Sequence, residues 1–216
     1  MRDYRKFTQR EPRNLRGKVL TRENFSGKYF FDADLRECEL TEARLNVAML
    51  EGAKLDGSIM RNSSLRNAHL AHAKLRDVDL TEADLSHDRD KKHISYTCNY
   101  AQFSRSILDG ANLSRTPFTY AVFDNSSLKD VDMSRVVAVA AVFQGADLSG
   151  ADLRFADLSR ARLERADLRG ANLSFTDLSG ANLEDAKYDE TTIWRGTRYN
   201  QRTRWVNGQR ERPPLR

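Results

Sequence analysis

Large apolar residues recur in this chain at every fifth position. Leu20, Phe25, Phe30, Leu35, Leu40, Leu45, Leu50, Leu55, Met60, Leu65, Leu70, Leu75, Leu80 and Leu85 keep that spacing without exception. The frame lapses and returns at Phe103, Leu108, Leu113, Phe118, Phe123, Leu128 and Met133, weakens at Ala138, and continues from Phe143 through Leu183 to Tyr188 and Ile193, giving 33 central positions. A period of five matches neither the 3.6 of a helix nor the 2.0 of a strand, so neither element can present these residues on one face. A chain that turns a corner every five residues can. Four such sides close a square coil of about 20 residues, and stacked coils pair along the axis at strand spacing, about 4.8 Å per coil.

The residue two before a centre is small almost as regularly, as in Ala43, Ala48, Ala53, Ser58, Ser63 and Ala68 early, and Ala146, Ala151, Ala156, Ala161, Ala166 and Ala171 late. A square this narrow has room for one large and one small side chain per side. The remaining positions are mostly Asp, Asn, Arg, Ser, Gly or Glu, several of which suit turns. In Ala146-Asp147-Leu148-Ser149-Gly150, Ala151-Asp152-Leu153, Ala171-Asn172-Leu173 and Ala181-Asn182-Leu183 the chain resembles the pentapeptide repeat family, whose pattern is A(D/N)Lxx. The resemblance runs from about Thr21 to Arg195 and implies an all-β fold, a right-handed quadrilateral β-helix of about eight coils, roughly 40 Å long. The expected organisation is a basic segment and cap over 1–18, the repeat body over 19–194, and a basic tail over 195–216. Lys18, Glu23 and Lys28 stand at small-residue positions, so the first coil is expected to be irregular; Tyr188, Ile193, Trp194 and Trp205 are the expected lids at the other end.

Of 216 residues, 36 are basic and 31 acidic, a net charge of +5. That balance invites a nucleic-acid reading until the chain is divided at its repeat boundaries. Residues 1–18 carry +5, residues 195–216 carry +6, and the body carries −6. No apolar run is long enough to span a membrane, and the first residues lack the apolar stretch of a secretory signal. Two cysteines, Cys38 and Cys98, make no disulfide framework and suit a reducing cytoplasm.

Departures from the repeat carry the functional information. From Leu85 to Phe103 the chain spends 13 residues more than the frame needs, or 8 if Cys98 is a disguised centre. A loop is therefore expected within 86–100, bearing Asp88, Arg89, Lys91, Lys92, His93 and Tyr96. His87, His93 and Cys98 match no tight ligand spacing, and exposed loop residues explain them; His69 and His72 are expected on the solvated surface. With a 13-residue surplus, Ile94, Tyr96 and Tyr100 would reach over a second feature, an apolar run at outward positions. There Val137 should stack on Pro117, Val142 on Val122, and Ala140 on Tyr120, with Val139 beside them. Such a patch marks a contact or a covered surface. Third, Arg115, Arg135, Phe155, Phe175 and Arg195 fall in one column and are expected to reinforce the rod by ring and guanidinium stacking, with recognition of a partner as the alternative. Fourth, Asp147 lies below Asp167 and Asp157 below Asp177, with Asp152 between the rows, either as turn residues or as a negative surface.

A rod filled by its own side chains has no cleft for a nucleophile and base, a phosphate loop or a ligand cluster, so no catalytic residue, metal or cofactor is expected and the chain reads as a non-enzyme. The resemblance implies one specific activity: some pentapeptide repeat proteins protect bacterial type II topoisomerases, DNA gyrase or topoisomerase IV, from quinolone-type drugs by imitating duplex DNA. Rows of carboxylates would then replace phosphates. The alternatives are a protein-interaction scaffold using the apolar patch and loop, with a homodimer included, and nucleic-acid binding through Arg198, Arg202, Arg204, Trp205 and Arg210.

Overall fold

The computed structural model describes residues 14–88 and 97–205. Over these the chain forms a right-handed quadrilateral β-helix whose sides pair with their neighbours through parallel bridges, the hand that parallel crossovers of L-residues adopt. The first side of successive coils is centred on Leu15, Leu35, Leu55, Leu75, Phe103, Phe123, Phe143, Leu163, Leu183 and Trp205. Nine coils are thus complete and a tenth has begun, a length of about 43 Å.

Each five-residue unit disposes of its backbone donors in a fixed way. The centre donates to the coil above (Leu50 N to His69 O, 2.8 Å), and the outward ladder residue before a centre donates to the coil below (Lys54 N to Ala33 O, 2.9 Å). The second corner residue donates upward (Gly52 N to Ala71 O, 3.0 Å), and the small residue closes the corner onto the centre before it (Ala53 N to Leu50 O, 3.0 Å). That second corner residue has positive φ throughout the regular coils, as at Asp32, Val47, Tyr120 and Phe155, which makes the corners type II turns. One N–H per unit remains, on the first corner residue. The Asp or Asn of the ladder position accepts it: Asp147 from Ser149, Asp152 from Arg154, and Asn172 from Ser174, each at 3.0 Å. A buried or half-buried donor without a partner is costly, which gives the aspartates of the repeat a structural task.

Centres and small residues form one core, buried from Phe30 to Trp205. Phe103, Phe123 and Phe143 stack face to face along it at 4.8 and 5.0 Å. Several small residues that carry a hydroxyl bond a centre carbonyl in the coil below, as Thr176 does to Leu153 and Thr116 to Leu85, while Ser126 bonds Phe123 within its own coil.

Three expectations need correction, and one open alternative is resolved. The first coil is regular: Asn14 already pairs with Asp34 and Val19 with Glu39, and Lys18 and Glu23 fit because their side chains are exposed at that end. The ladder also continues beyond 194. Asn172 pairs with Ile193, Asp177 with Arg198 and Asn182 with Arg204, so one extra residue enters before Trp194 and another before Trp205. Ile193 is therefore an outward ladder residue, while Trp194 and Trp205 are core centres and Tyr199 packs against that core. Lastly, Lys74 pairs with Gln102 and Asp79 with Ile107, a step of 28 in place of 20, so Cys98 is a centre and the surplus is eight residues, the smaller of the two values. Residues 89–96 fall outside the described residues.

Candidate interaction surfaces

The aspartates proposed as a negative face are in register. Asp147 pairs with Asp167, Asp157 with Asp177, and Asp132 with Asp152, and all are half-buried. Their oxygens are committed, however. Each of Asp147, Asp152, Asp157, Asp167 and Asp177 accepts the N–H two residues on. Arg154 grips Asp152, Arg169 grips Asp167, and Lys129 and Arg198 stand 3.6 and 3.5 Å from Asp147 and Asp177. The Arg169 hydrogen bonds hold the Asp167 carboxyl below the usual carboxylate range. Burial pushes Asp152 up, but hydrogen bonds from the Arg154 guanidinium and amide outweigh it and leave that group low as well.

Charge follows the corrected ends of the coil. From Asn14 to Trp205 the sequence has 28 basic and 28 acidic residues, so the excess of −6 belonged to the narrower boundaries. The arginines assigned to a tail do part of this. Arg198 and Arg204 are ladder residues facing Asp177 and Glu184, and Trp205 is buried against Trp194 and Tyr199, out of reach of a nucleic-acid base. Arg202 is exposed, and Arg210 lies outside the described residues.

The apolar patch is present with the register the sequence implied: Pro117 pairs with Val137, Val122 with Val142, and Tyr120 N donates to Val139 O at 3.0 Å. It wraps the corner between the fourth side and the first side of the next coil. Sequence reasoning missed its lower half. His72, Tyr100 and Tyr120, each the second residue of that corner in successive coils, stack face to face at 4.9 and 5.1 Å. Their common position was readable in sequence only once Cys98 was counted as a centre. Tyr100, 46% exposed, thus belongs to the strip and does not cover it, and His72 is a stacking partner where plain solvated surface was expected; Tyr120 is 48% and Val137 43% exposed. His69, on the fourth side below, is half-buried, and that burial lowers its pKa.

At the preceding corner, Phe155 and Phe175 stack at 5.1 Å, with the Arg135 guanidinium 4.7 Å from one ring and that of Arg195 5.8 Å from the other. The expected column is there, except that Gly196 takes the rung above Phe175: a Cβ at Gly196 would lie 2.7 Å from the ring.

The insertion is held at both stumps. His87 N donates to Ser114 O, His87 Nδ1 lies 3.1 Å from Thr116 Oγ1, and Leu70 N donates to Thr97 O. Asp88 accepts from Arg66 and Asn67. His87 and Cys98 are buried, contrary to their reading as exposed loop residues, and burial pushes the Cys98 thiol up to about 12. Among the described residues no three His, Cys, Asp or Glu side chains converge as metal ligands would. Arg89, Lys91, Lys92, His93 and Tyr96 lie outside the described residues. No helix among the described residues is long and apolar enough to cross a membrane.

A family model described as pentapeptide repeats matches in 8 copies, over residues 29–67, 48–86, 98–135 and 139–185. No curated protein sequence matches. Among solved structures, the chain is similar to HetL, a pentapeptide repeat protein involved in heterocyst differentiation regulation from the cyanobacterium Nostoc sp. strain PCC 7120. That match is 25% identical, covers 92% of this chain and 93% of HetL, and has a TM-score of 0.36. Rfr23 from the cyanobacterium Cyanothece 51142 is 26% identical over 56% of this chain and 87% of its own, with a TM-score of 0.44. Full-length QnrB1, a plasmid-mediated fluoroquinolone resistance protein, is 18% identical over 90% and 87%, with a TM-score of 0.33.

Proposed function

The chain belongs to the pentapeptide repeat family, and on that premise we propose that it is a non-enzymatic binding protein whose contact surface is the apolar corner strip. One observation carries this reading: Tyr100, Tyr120 and Val137 stand exposed in a continuous band with Pro117, Val122, Val139 and Val142. A rod needs no such band, since its core is complete without it, and contiguous exposed apolar surface on a monomer marks a contact. The partner is a protein, a second copy included, and two buried free thiols suit a reducing, cytoplasmic setting. The double variant Val139→Asp/Val142→Asp, compared with the parent by light scattering and by co-purification from expressing cells, tests it. Loss of a dimer or partner supports the reading; unchanged association overturns it.

Protection of a type II topoisomerase by DNA mimicry is the second reading, supported by the stacked aspartate rows. It draws less from the geometry, because those carboxylates cap corners and face arginines, and residues 14–88 and 97–205 together carry an excess of only −2. A duplex presents one charge per ≈ 1.7 Å. Gyrase supercoiling with and without a quinolone decides it: rescue at stoichiometric rod would favour mimicry over the apolar strip. Nucleic-acid binding through the C-terminal arginines has the least support, since Arg198, Arg204 and Trp205 are built into the coil.

A further inference from the structure

Two ring columns run up adjacent corners of the rod, and one of them is finished. In the Phe155–Phe175 column each outer ring face is met by a guanidinium, from Arg135 on one side and Arg195 on the other. In the His72–Tyr100–Tyr120 column the upper face of Tyr120 meets no ring and no guanidinium among the described residues. The next rung is Ala140 and the one above it Arg160, both at the second position of the same corner. Tyr120 and Arg160 are therefore two coil steps apart, about 10 Å, which is the thickness of one planar ring stacked on both sides. The flanks of the notch are Val137, Val139 and Val142. Arg160 is exposed and among the described residues forms no ion pair with a carboxylate; neither do Arg115 and Arg135, exposed along the edge of the strip. Elsewhere many arginines face carboxylates, as Arg154, Arg169 and Arg105 do.

We infer that the Ala140 rung is a receptor for one aromatic side chain of an acidic protein segment: the ring completes the stack between Tyr120 and Arg160, and carboxylates on either side meet Arg115, Arg135 and Arg160. This rests on the reading of the strip as a contact surface and names its partner's chemistry. A planar ring over Tyr120 gains stacking, and Arg160 over its far face adds a cation–π contact. Three arginines against the single carboxylate of Asp157, on the rung above Val137, leave the rim positive, which selects an acidic segment over a basic one.

The probe is a capped pentapeptide with a central tryptophan flanked by acidic residues, titrated calorimetrically into the full chain. Binding is expected, and replacing the tryptophan by leucine or the acidic residues by lysine should weaken it about tenfold. The decisive variant is Ala140→Tyr, which supplies the missing ring from the rod itself. Tyr100 and Tyr120 hold φ of 60° and 59° at the equivalent corners, so tyrosine fits this backbone. The variant should keep its thermal midpoint and lose the peptide about tenfold; Arg160→Ala should weaken it severalfold. Equal binding of the tryptophan and leucine peptides, undiminished binding to Ala140→Tyr, or no binding at millimolar peptide overturns the inference. If Val139→Asp/Val142→Asp abolishes partner association while Ala140→Tyr leaves it intact, the contact surface stands and the notch falls; if neither alters association, both fall.

Discussion

The two ends of the rod solve the same problem with different means. At the C-terminal end the last coil is centred on Tyr188, Trp194, Tyr199 and Trp205, whose rings meet edge to face at 5.5, 5.9 and 5.4 Å. Beneath them Thr192, Thr197 and Thr203 each donate a hydroxyl to a centre carbonyl of the coil below. At the N-terminal end Leu15, Leu20 and Phe25 are only half-buried, Val19 is 77% exposed, and charged residues replace the small ones. Ion pairs across the outside, Arg16 with Glu37 and Arg22 with Glu42, link that coil to the next. Exposed pairs of this kind contribute little, so the comparison teaches that the C-terminal coil is anchored by burial and the N-terminal coil mainly by its backbone ladder.

If so, mutations should cost unequally at the two ends. Trp194→Ala should destabilise by about 3–5 kcal/mol in urea unfolding, the usual range for deleting a buried aromatic. Gly196→Ala comes next, at about 2 kcal/mol, because it sets a Cβ against the Phe175 ring at a positive φ. Leu20→Ala, the matching deletion at the other end, should cost only about 1 kcal/mol, since its side chain is incompletely buried. A Leu20 effect as large as that of Trp194 would break the comparison. Hydrogen exchange sharpens it: amides of the first coil should exchange well before those of the last.

The smallest effect is an acid one at the N-terminal end. Arg36 hydrogen bonds hold the Asp34 carboxyl at about 2, below its ordinary value of 3.8. A depressed carboxyl stabilises the fold above its unfolded pKa and loses that contribution as pH falls from about 4 through about 2. Asp34→Asn keeps the corner acceptor but gives up the charged pair with Arg36, so it should flatten the acid limb in that window and lack at neutral pH the small contribution that the parent chain loses in acid. An unaltered acid limb would remove Asp34 from the account.

Much of this fold was legible because one pattern repeats until coincidence is excluded. The misreadings came where a residue was added. Six residues separate Tyr188 from Trp194 and Tyr199 from Trp205, so counting by fives placed Ile193 inside and the final aromatics in a tail. The small–x–large signature survived the slip, as Thr192-Ile193-Trp194, Thr197-Arg198-Tyr199 and Thr203-Arg204-Trp205, and following it in place of the count would have found the last coil. Cys98 was masked differently: a cysteine fills a leucine site because the core tolerates a smaller hydrophobe beside Phe118 and Leu70. The ring column at His72, Tyr100 and Tyr120 was invisible until that register was known. Commitment of aspartate oxygens to corner amides is a matter of geometry, which composition alone does not convey.

The change of ladder step from 20 to 28 and back has a consequence for how such rods tolerate change. Pairing resumes at Gln102 as though nothing had been added, so the architecture counts sides and is indifferent to how many residues a corner spends. Between Asp88 and Thr97 the chain can then change length without changing the ladder register on either side. A foreign segment exchanged there would begin and end at points already hydrogen-bonded to neighbouring coils, and a series of such exchanges would vary what is displayed without rewriting what displays it.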